Sequence, residues 1–320
     1  MQVYRDIEAV GGALRGCAVT IGNFDGVHLG HQALLAEARR LAGERPSVVL
    51  TFEPHPAKVL SPEFAPLLLT TPARKTERLA AFGMDAEVVL RFDRAFAANS
   101  PERFVERYLI EGLGARHVVV GYDFSFGKGR AGNPEVLARL GEGAFEVHTV
   151  EPVREEGLVV SSSKIRELLL EGRVGPAARL LGHPFLLDGT VVRGRGRGRG
   201  IGFPTANVAS ETELVPANGV YTVLCAVEGV EGPVGGAANV GRKPTFGEEE
   251  RTVEVNLFGE FDDLYDRRIS VAFLHRLRAE VRFASVDELV AQIREDVRQA
   301  KAQLEAWKGA APVLVPPSNF

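Results

Sequence analysis

The sequence predicts two folded modules in series: an α/β module on a doubly wound parallel sheet, then a small antiparallel β module closed by a long helix. Three observations predict this. The chain has 320 residues, more than one compact core usually holds, because single cores stop growing near about 250 residues. Short valine-rich runs alternate with helix-type spacing up to His183, the pattern of buried parallel strands and their crossover helices. After His183-Pro184 the texture changes to β-branched runs punctuated by glycine and proline, which suits the antiparallel strands of a barrel or a sandwich. The expected divisions are residues 1–183 and 184–309, followed by a loosely ordered tail over 310–320 that holds three prolines.

In the first module, strands are expected at residues 18–21, 47–52, 87–92, 117–121 and 145–150, each a short apolar run rich in valine. Leu34, Ala38, Leu41 and Ala42 recur at helical spacing before Gly43. Ser100 and Pro101 offer an N-cap and a first helical residue for a helix over 101–110, and Ser162 or Ser163 can cap 165–170, which Gly172 stops. In the second module the strand-like runs are 189–192, 220–227, 235–240, 251–258 and 269–277. Ser285-Val286-Asp287-Glu288 then reads as a capping box. It opens a helix with the apolar stripe Leu289, Ile293, Val297 and Leu304, ending near Lys308.

Charge argues against one class of function. The chain carries 38 Lys and Arg against 42 Asp and Glu. Up to His183 the balance is 22 basic to 23 acidic residues, and after it 16 to 19, so neither module has the cationic surplus that neutralising many phosphates requires. No nucleic-acid partner is expected. The run Arg193-Gly194-Arg195-Gly196-Arg197-Gly198-Arg199-Gly200 stands against this, because it looks like an arginine-glycine tail; an RNA-binding chaperone is the competing reading, and the acidic balance opposes it. Cys17 and Cys225 lie far apart, one in each module, which fits a reducing cytoplasm rather than a disulfide framework or a metal cluster. The N-terminus carries Asp6 and Glu8 without a basic-then-apolar leader, and no run reaches the ~18 apolar residues of a membrane span. A cytoplasmic protein without a membrane partner, monomeric or weakly oligomeric, is expected.

The chemistry of the first module begins at Gly22-Asn23-Phe24-Asp25-Gly26-Val27-His28-Leu29-Gly30-His31, between the first expected strand and the first helix. In an open α/β sheet ligands bind there, with backbone N–H groups and the helix dipole facing an anion. Gly22, Gly26 and Gly30 let the backbone approach a phosphate, and His28 and His31 share one side of the first helical turn as donors to phosphoryl oxygens. A single histidine at a helix start more often caps or faces water; two in this glycine frame favour a site. No Gly-Lys-Ser/Thr follows and no G-x-G-x-x-G is present here, which excludes the usual P-loop and dinucleotide readings.

This segment resembles the HxGH nucleotidyltransferase superfamily, whose members move an adenylyl or cytidylyl group from a nucleoside triphosphate. Three further stretches narrow the resemblance: Thr51-Phe52-Glu53-Pro54-His55-Pro56, Gly121-Tyr122-Asp123-Phe124-Ser125-Phe126-Gly127-Lys128-Gly129-Arg130-Ala131-Gly132, and Ser161-Ser162-Ser163-Lys164-Ile165-Arg166. Together they resemble the FMN adenylyltransferase module of bacterial bifunctional riboflavin kinase/FAD synthetases, with a Rossmann-like fold. The resemblance implies that His28, His31 and Arg166 are catalytic, that Gly22, Phe24, Asp25, Gly30, Ser162 and Ser163 bind ATP, and that Asp123 serves the flavin site. Phe124 and Phe126 are candidates for the wall against the flavin ring. The family usually has Thr where Ser163 stands, a change that keeps the hydroxyl.

In the second module, Gly202-Phe203-Pro204-Thr205-Ala206-Asn207 places Thr205 and Asn207 two apart. In an extended segment their side chains share a face and could ligate a hard cation, although Thr and Asn also serve turns. Glu254, within Val253-Glu254-Val255-Asn256-Leu257, is either a general base or the outward side of an alternating strand. Residues 189–207, Gly219-Val220-Tyr221, Asn239-Val240-Gly241-Arg242-Lys243-Pro244-Thr245-Phe246, Glu254 and Asp263-Leu264-Tyr265 resemble the riboflavin kinase module of the same family, a six-stranded antiparallel barrel with a terminal helix. The two resemblances occur in the family's order over residues 15–308.

What the resemblance implies is a sequence of two reactions. Glu254 takes the proton of the ribityl 5'-hydroxyl of riboflavin, Thr205 and Asn207 hold Mg²⁺ with ATP, and FMN forms. FMN then attacks the α-phosphorus of a second ATP, giving FAD and pyrophosphate. Gly194, Gly198 and Gly202 fall where the kinase family has glycines in a phosphate-covering loop. Arg199 matches a basic position beside them, and Pro204 joins the ATP-binding set; Arg195, Gly196 and Arg197 match variable places. With 31 Arg to 7 Lys in the chain, arginine is the common filler here. A competing enzyme reading has the first module adenylylate another phosphate acceptor, such as a pantetheine or nicotinamide nucleotide, with the second module only docking it.

Overall fold

The computed structural model describes residues 1–194, 202–244, 249–261 and 263–314. Gly198 and Arg199 lie outside the described residues, as do Arg195, Gly196, Arg197, Thr245 and Phe246. Two compact units divide the chain: Met1–Pro66 with Lys75–Val160, and Leu67–Arg74 with Ser161–Phe320.

The first unit is built on strands β1 (Gln2–Tyr4), β2 (Ala18–Ile21), β3 (Ser47–Glu53), β4 (Ala86–Arg91), β5 (His117–Gly121) and β6 (Glu146–Val150). They form one sheet in the order β1-β4-β3-β2-β5-β6, parallel throughout; outside it β7 (Arg154–Glu155) and β8 (Leu158–Val159) make a short antiparallel pair. All four residues of β2 are buried and β5 buries Val118, Val119 and Val120, as apolar strands covered on both faces must be. From β2 the chain steps outward to β3 and β4, then returns to the other side of β2 as β5. That reversal makes a topological switch point, where two loops leave neighbouring strands in opposite directions and open a crevice. The five expected strands are present, with ends shifted by at most one residue. β1 was not expected, because three residues with only Tyr4 buried carry no legible alternation.

Helix α1 (Leu29–Ala42) buries Leu35, Ala38 and Ala42 and ends at Gly43, whose φ of 59° suits glycine. α2 (Pro56–Leu60), α3 (Pro72–Ala81), α4 (Arg94–Ala97), α5 (Pro101–Phe104) and α6 (Pro134–Leu140) follow. Ser100 caps α5 by accepting from the Arg103 amide, as expected. The helix predicted over 101–110 then widens into π-type turns across Val105–Gly112.

In the second unit, α7 (Ser162–Leu170) is capped by Ser161, whose hydroxyl accepts from the Lys164 amide. The expected caps Ser162 and Ser163 are instead its first helical residues. α8 (Val174–Leu181) buries Val174, Ala177, Leu180 and Leu181. Strands β9 (Phe185–Val192), β10 (Ala206–Ser210), β11 (Gly219–Val227), β12 (Val234–Pro244), β13 (Glu249–Leu257) and β14 (Arg268–Arg278) close into a barrel in the order β10-β13-β12-β11-β14-β9. The barrel, not the sandwich, is therefore the architecture. Inside it Tyr221 meets Phe273 edge-on at 5.3 Å, with Val223, Cys225, Val253 and Val255 buried beside them. α8 packs on β14 and β9, so α7 and α8 belong to the same compact unit as the barrel.

The last helix, α9 (Val286–Ala306), starts at Ser285, which accepts from the Glu288 amide, while Glu288 reaches back to the Ala284 amide. Its Leu304 and Trp307 beyond it cover the outer patch Leu186, Ala272 and Leu274. Arg74 and Asp188, each 1% exposed, form a buried ion pair at 2.5 Å. The same guanidinium donates to Ser270 and to the Val313 carbonyl, which ties the chain down beyond the expected end of the module.

Candidate active sites

The loop after β2 sits at the switch point. Phe24 and Val27 have φ of 53° and 41°, and Gly26 between them 85°. Positive φ at a bulky and a β-branched residue is costly, about 1–3 kcal/mol each, and persists only where packing over-determines it. Both side chains are fully buried, the Gln32 amide donates to the Val27 carbonyl at 2.9 Å, and the Thr51 hydroxyl donates to the Asn23 carbonyl at 3.4 Å. Lys75, only 6% exposed, donates to that Thr51 oxygen and to Glu53, bracing the loop from beneath. Lys75 went unnoticed in the sequence; its one signal was being a lysine where this chain nearly always uses arginine.

His28 is the N-cap of α1, its Nδ1 accepting from the His31 amide at 3.3 Å. An accepting Nδ1 carries no proton, so the ring's N–H is at Nε2. The two imidazoles stack at 3.6 Å between centroids and 14° between planes. Gly30 between them lets the rings sit undisturbed, because a Cβ there would lie 3.2 Å from the His28 ring; at Gly22 it would lie 3.3 Å from the Phe24 ring. Asp25 is buried in the same loop.

The other loop at the switch point leaves β5. Its turn is closed by the Phe124 amide donating to the Gly121 carbonyl, and it exposes Tyr122 and Asp123. Phe124 and Phe126 stack at 5.5 Å. Phe126 is 8% exposed and packs on Phe104 in the core, which leaves Phe124 as the more accessible ring. Ser162, Ser163 and Arg166 belong to α7 in the second unit, where the Arg166 Nε donates to the Leu67 carbonyl at 2.8 Å.

The second site is on the outer wall of the barrel. Register pairs Asn207 of β10 with Glu254 of β13, and Glu254 with Asn239 of β12. Three polar side chains from three neighbouring strands thus form one row. Their sequence neighbours Val253, Val255, Ala238 and Val240 are buried and point inward, so the row faces outward. Glu254 is therefore on the outward side of an alternating strand, and that side lines a cavity of about 320 Å³ with Thr205, Asn239 and Asn256. Leu289, Ile293 and Val297 of α9 close the opposite side, which is the use of the helix's predicted stripe. Arg278 holds the helix there through Asp296 at 2.8–3.1 Å.

Gly194 lies so close that a Cβ would overlap the Asn207 amide, and the Asn256 amide donates to the Pro204 carbonyl at 2.8 Å. The segments on both sides of the arginine-glycine run are thereby held against this wall. Asn239 and Asn256 lay within stretches the sequence singled out but had no role there; Arg278 and Asp296 carried no signal. Only strand register and helix docking bring them in.

Comparison with known proteins agrees with the two-site organisation. Residues 12–164 match the FAD synthetase family model and residues 181–304 the riboflavin kinase family model. A protein of Pseudomonas fluorescens described as bifunctional riboflavin kinase/FMN adenylyltransferase is 42% identical over 306 residues, 94% of this chain and 97% of its own length. Proteins with the same description from Escherichia coli K12 and Bacillus subtilis 168 are 40% and 38% identical, covering 89% and 88% of this chain and 92% and 90% of their own. A crystal structure described as a macrolide-efflux protein from Streptococcus pneumoniae superposes with a TM-score of 0.85 at 34% identity, over 96% of this chain and 99% of that one. Among the described residues of this chain no helix is long and apolar enough to cross a membrane.

Proposed function

We infer the chemistry of both sites from one premise: this chain belongs to the bifunctional riboflavin kinase/FMN adenylyltransferase family. It phosphorylates riboflavin with ATP to FMN and adenylylates FMN with a second ATP to FAD, releasing pyrophosphate. We assign the adenylyl step to residues 1–183 and the kinase step to 184–309. The first family match ends at residue 164 and the second begins at residue 181, which supports that division.

The row Asn207, Glu254 and Asn239 on the cavity wall carries the kinase assignment. Glu254 is the base that accepts the ribityl hydroxyl proton. Thr205 and Asn207 offer neutral oxygens beside that carboxylate, a donor set that suits Mg²⁺, which prefers oxygen and keeps much of its water. Mg²⁺ with ATP would neutralise phosphate charge there. Gly194 and Pro204 are assigned to ATP binding, as are Gly198 and Arg199 outside the described residues, and phosphoryl transfer then rests on positioning and charge neutralisation.

In the adenylyl step the FMN phosphate attacks the α-phosphorus of ATP and needs no base. The work left is stabilising charge as it develops. The His28 Nε2–H is a donor fixed by its cap; His31, Arg166, Ser162 and Ser163 complete the donor set. Gly22, Phe24, Asp25 and Gly30 shape the ATP pocket, and Asp123, Phe124 and Phe126 the flavin side. We place the protein in the cytoplasm as a monomer or weak oligomer without nucleic-acid partners, supported by two free buried cysteines and an acidic balance.

Incubation with riboflavin, ATP and Mg²⁺, followed by chromatography of the flavins, should show FMN first and FAD later. His28→Ala should stop FAD formation and spare FMN formation, whereas Glu254→Gln should stop FMN formation from riboflavin and still convert supplied FMN to FAD. Loss of both activities in either variant overturns the assignment to two independent sites.

A further inference from the structure

At the other end of the first sheet from the two switch-point loops, three side chains meet that neither reaction uses. His117 opens β5, Glu146 opens β6, and His148 follows two residues on. Parallel register sets His117 against Glu146 and Val119 against His148, so all three share the face of the sheet on which Val119 and Val150 pack toward α1. The His117 Nδ1 and His148 Nε2 are 3.1 Å apart. A Glu146 carboxylate oxygen lies 3.7 Å from the first and 3.8 Å from the second.

We propose that His117, Glu146 and His148 bind one divalent transition-metal ion, with Zn²⁺ the best fit. The three separations bracket the roughly 3.4 Å donor–donor edge of a tetrahedral site with bonds near 2.1 Å. A point about 2.1 Å from all three donor atoms exists, which matches Zn–N and Zn–O bond lengths of about 2.0–2.2 Å. Two imidazoles and one carboxylate fill three positions, and the fourth is left to water, with the 68% exposed Glu146 side chain opening the path from solvent.

Ligand chemistry decides the class of ion. Nitrogen donors disfavour Mg²⁺ and Ca²⁺, which want oxygen. The electrostatic surroundings are mixed, with Glu37 facing His148 and Arg45 and Arg116 acting on His117, so the site selects by affinity for imidazole rather than by negative charge. Without metal the two rings share one N–H between them. Binding needs only that this hydrogen move to a ring's other nitrogen, because both ligands stay neutral.

β6 is the edge strand of the sheet, so an ion here clamps an edge to its one neighbour. Its effect is on stability rather than on catalysis, because the reacting loops leave the far ends of the strands, about 13 Å away along β5.

The test uses the full chain, stripped with a chelator, dialysed, and titrated with ZnCl₂ alone by calorimetry. One equivalent should bind with a rise in Tm, and Co²⁺ in its place should show the intense visible absorption of a tetrahedral site. Glu146→Gln, on an exposed side chain that cannot unfold the protein, should weaken binding at least about tenfold, and His148→Ala should remove it. FAD formation with added Mg²⁺ should match wild type in both variants. Absence of saturable Zn²⁺ binding overturns the proposal. So does binding that persists unchanged in Glu146→Gln and His148→Ala but is lost in His28→Ala, which would put the ion on the other histidine pair.

Discussion

Gly30→Ala should lower FAD formation while leaving the protein at least as stable. The added Cβ would lie 3.2 Å from Cε1 and Nδ1 of His28 and 3.6 Å from the Val160 carbonyl oxygen. The first two contacts are tighter than nearly all real side-chain contacts, so the ring must give by a few tenths of an ångström. It cannot move toward His31, because the rings already stack at 3.6 Å. It must slide or tilt instead, which stretches the 3.3 Å bond that its Nδ1 accepts and turns the Nε2–H away from its target. A misplacement of ~1 Å can cost about a hundredfold in rate. A few tenths should therefore cost about three- to tenfold in kcat/KM, roughly 0.7–1.4 kcal/mol. Alanine favours a helix over glycine by about 1 kcal/mol, so Tm should hold or rise. Pyrophosphate release with FMN and ATP reads the first effect, and FMN formation from riboflavin should be unchanged. Gly175→Ala, where the added Cβ meets nothing within 4 Å, is the control. Unaltered FAD formation, or a parallel loss of FMN formation, would refute the reasoning.

Three further outcomes follow from buried groups. Arg74→Ala leaves Asp188 buried and without its guanidinium, and should cost about 3–5 kcal/mol in urea unfolding; the double change Arg74→Ala with Asp188→Ala should recover part of that, and equal loss in both would show the pair is not the cause. Burial pushes the Glu87 carboxyl above its ordinary value of 4.5, against the opposing charge of Lys75 and the Thr76 hydrogen bond. The folded chain thus holds a proton the unfolded chain has released, and stability should fall as pH rises from 4.5 through the raised value. Glu87→Gln should remove that slope in unfolding curves taken from pH 4.5 to 8, and an identical slope in the variant would exclude Glu87 as its source. Burial raises the Cys17 thiol to about 12 and the Cys225 thiol further, so neither should react with a thiol reagent at pH 8 until the unit that holds it unfolds; fast reaction of the native protein would contradict their burial.

The sites were legible to different depths. The histidine loop could be read whole, because its glycines, its histidines at i and i+3 and its place between a strand and a helix are all local. The kinase wall could be read only in pieces. Thr205, Asn207 and Glu254 stood in recognisable stretches, but Asn207 and Glu254 are 47 positions apart and meet through pairing register. The cap of α7 was misread by one or two residues, because three consecutive serines offer the same hydroxyl and only backbone conformation selects Ser161.

The sequence by itself determined two modules in order, the α/β and antiparallel β types, the loop that presents His28 and His31, and the capped last helix with its apolar stripe. Each of these is written in residues within a turn or a strand of one another, where spacing alone dictates which side chains share a face. Tertiary structure decided the rest. It returned β5 to the side of β2, closed the barrel rather than a sandwich, and aligned Asn207, Glu254 and Asn239 in one row. It also buried Arg74 against Asp188 and brought His117 to His148 across two strands. These contacts depend on register and docking between segments tens of residues apart, which are set by the burial free energy of whole faces rather than by any local pattern.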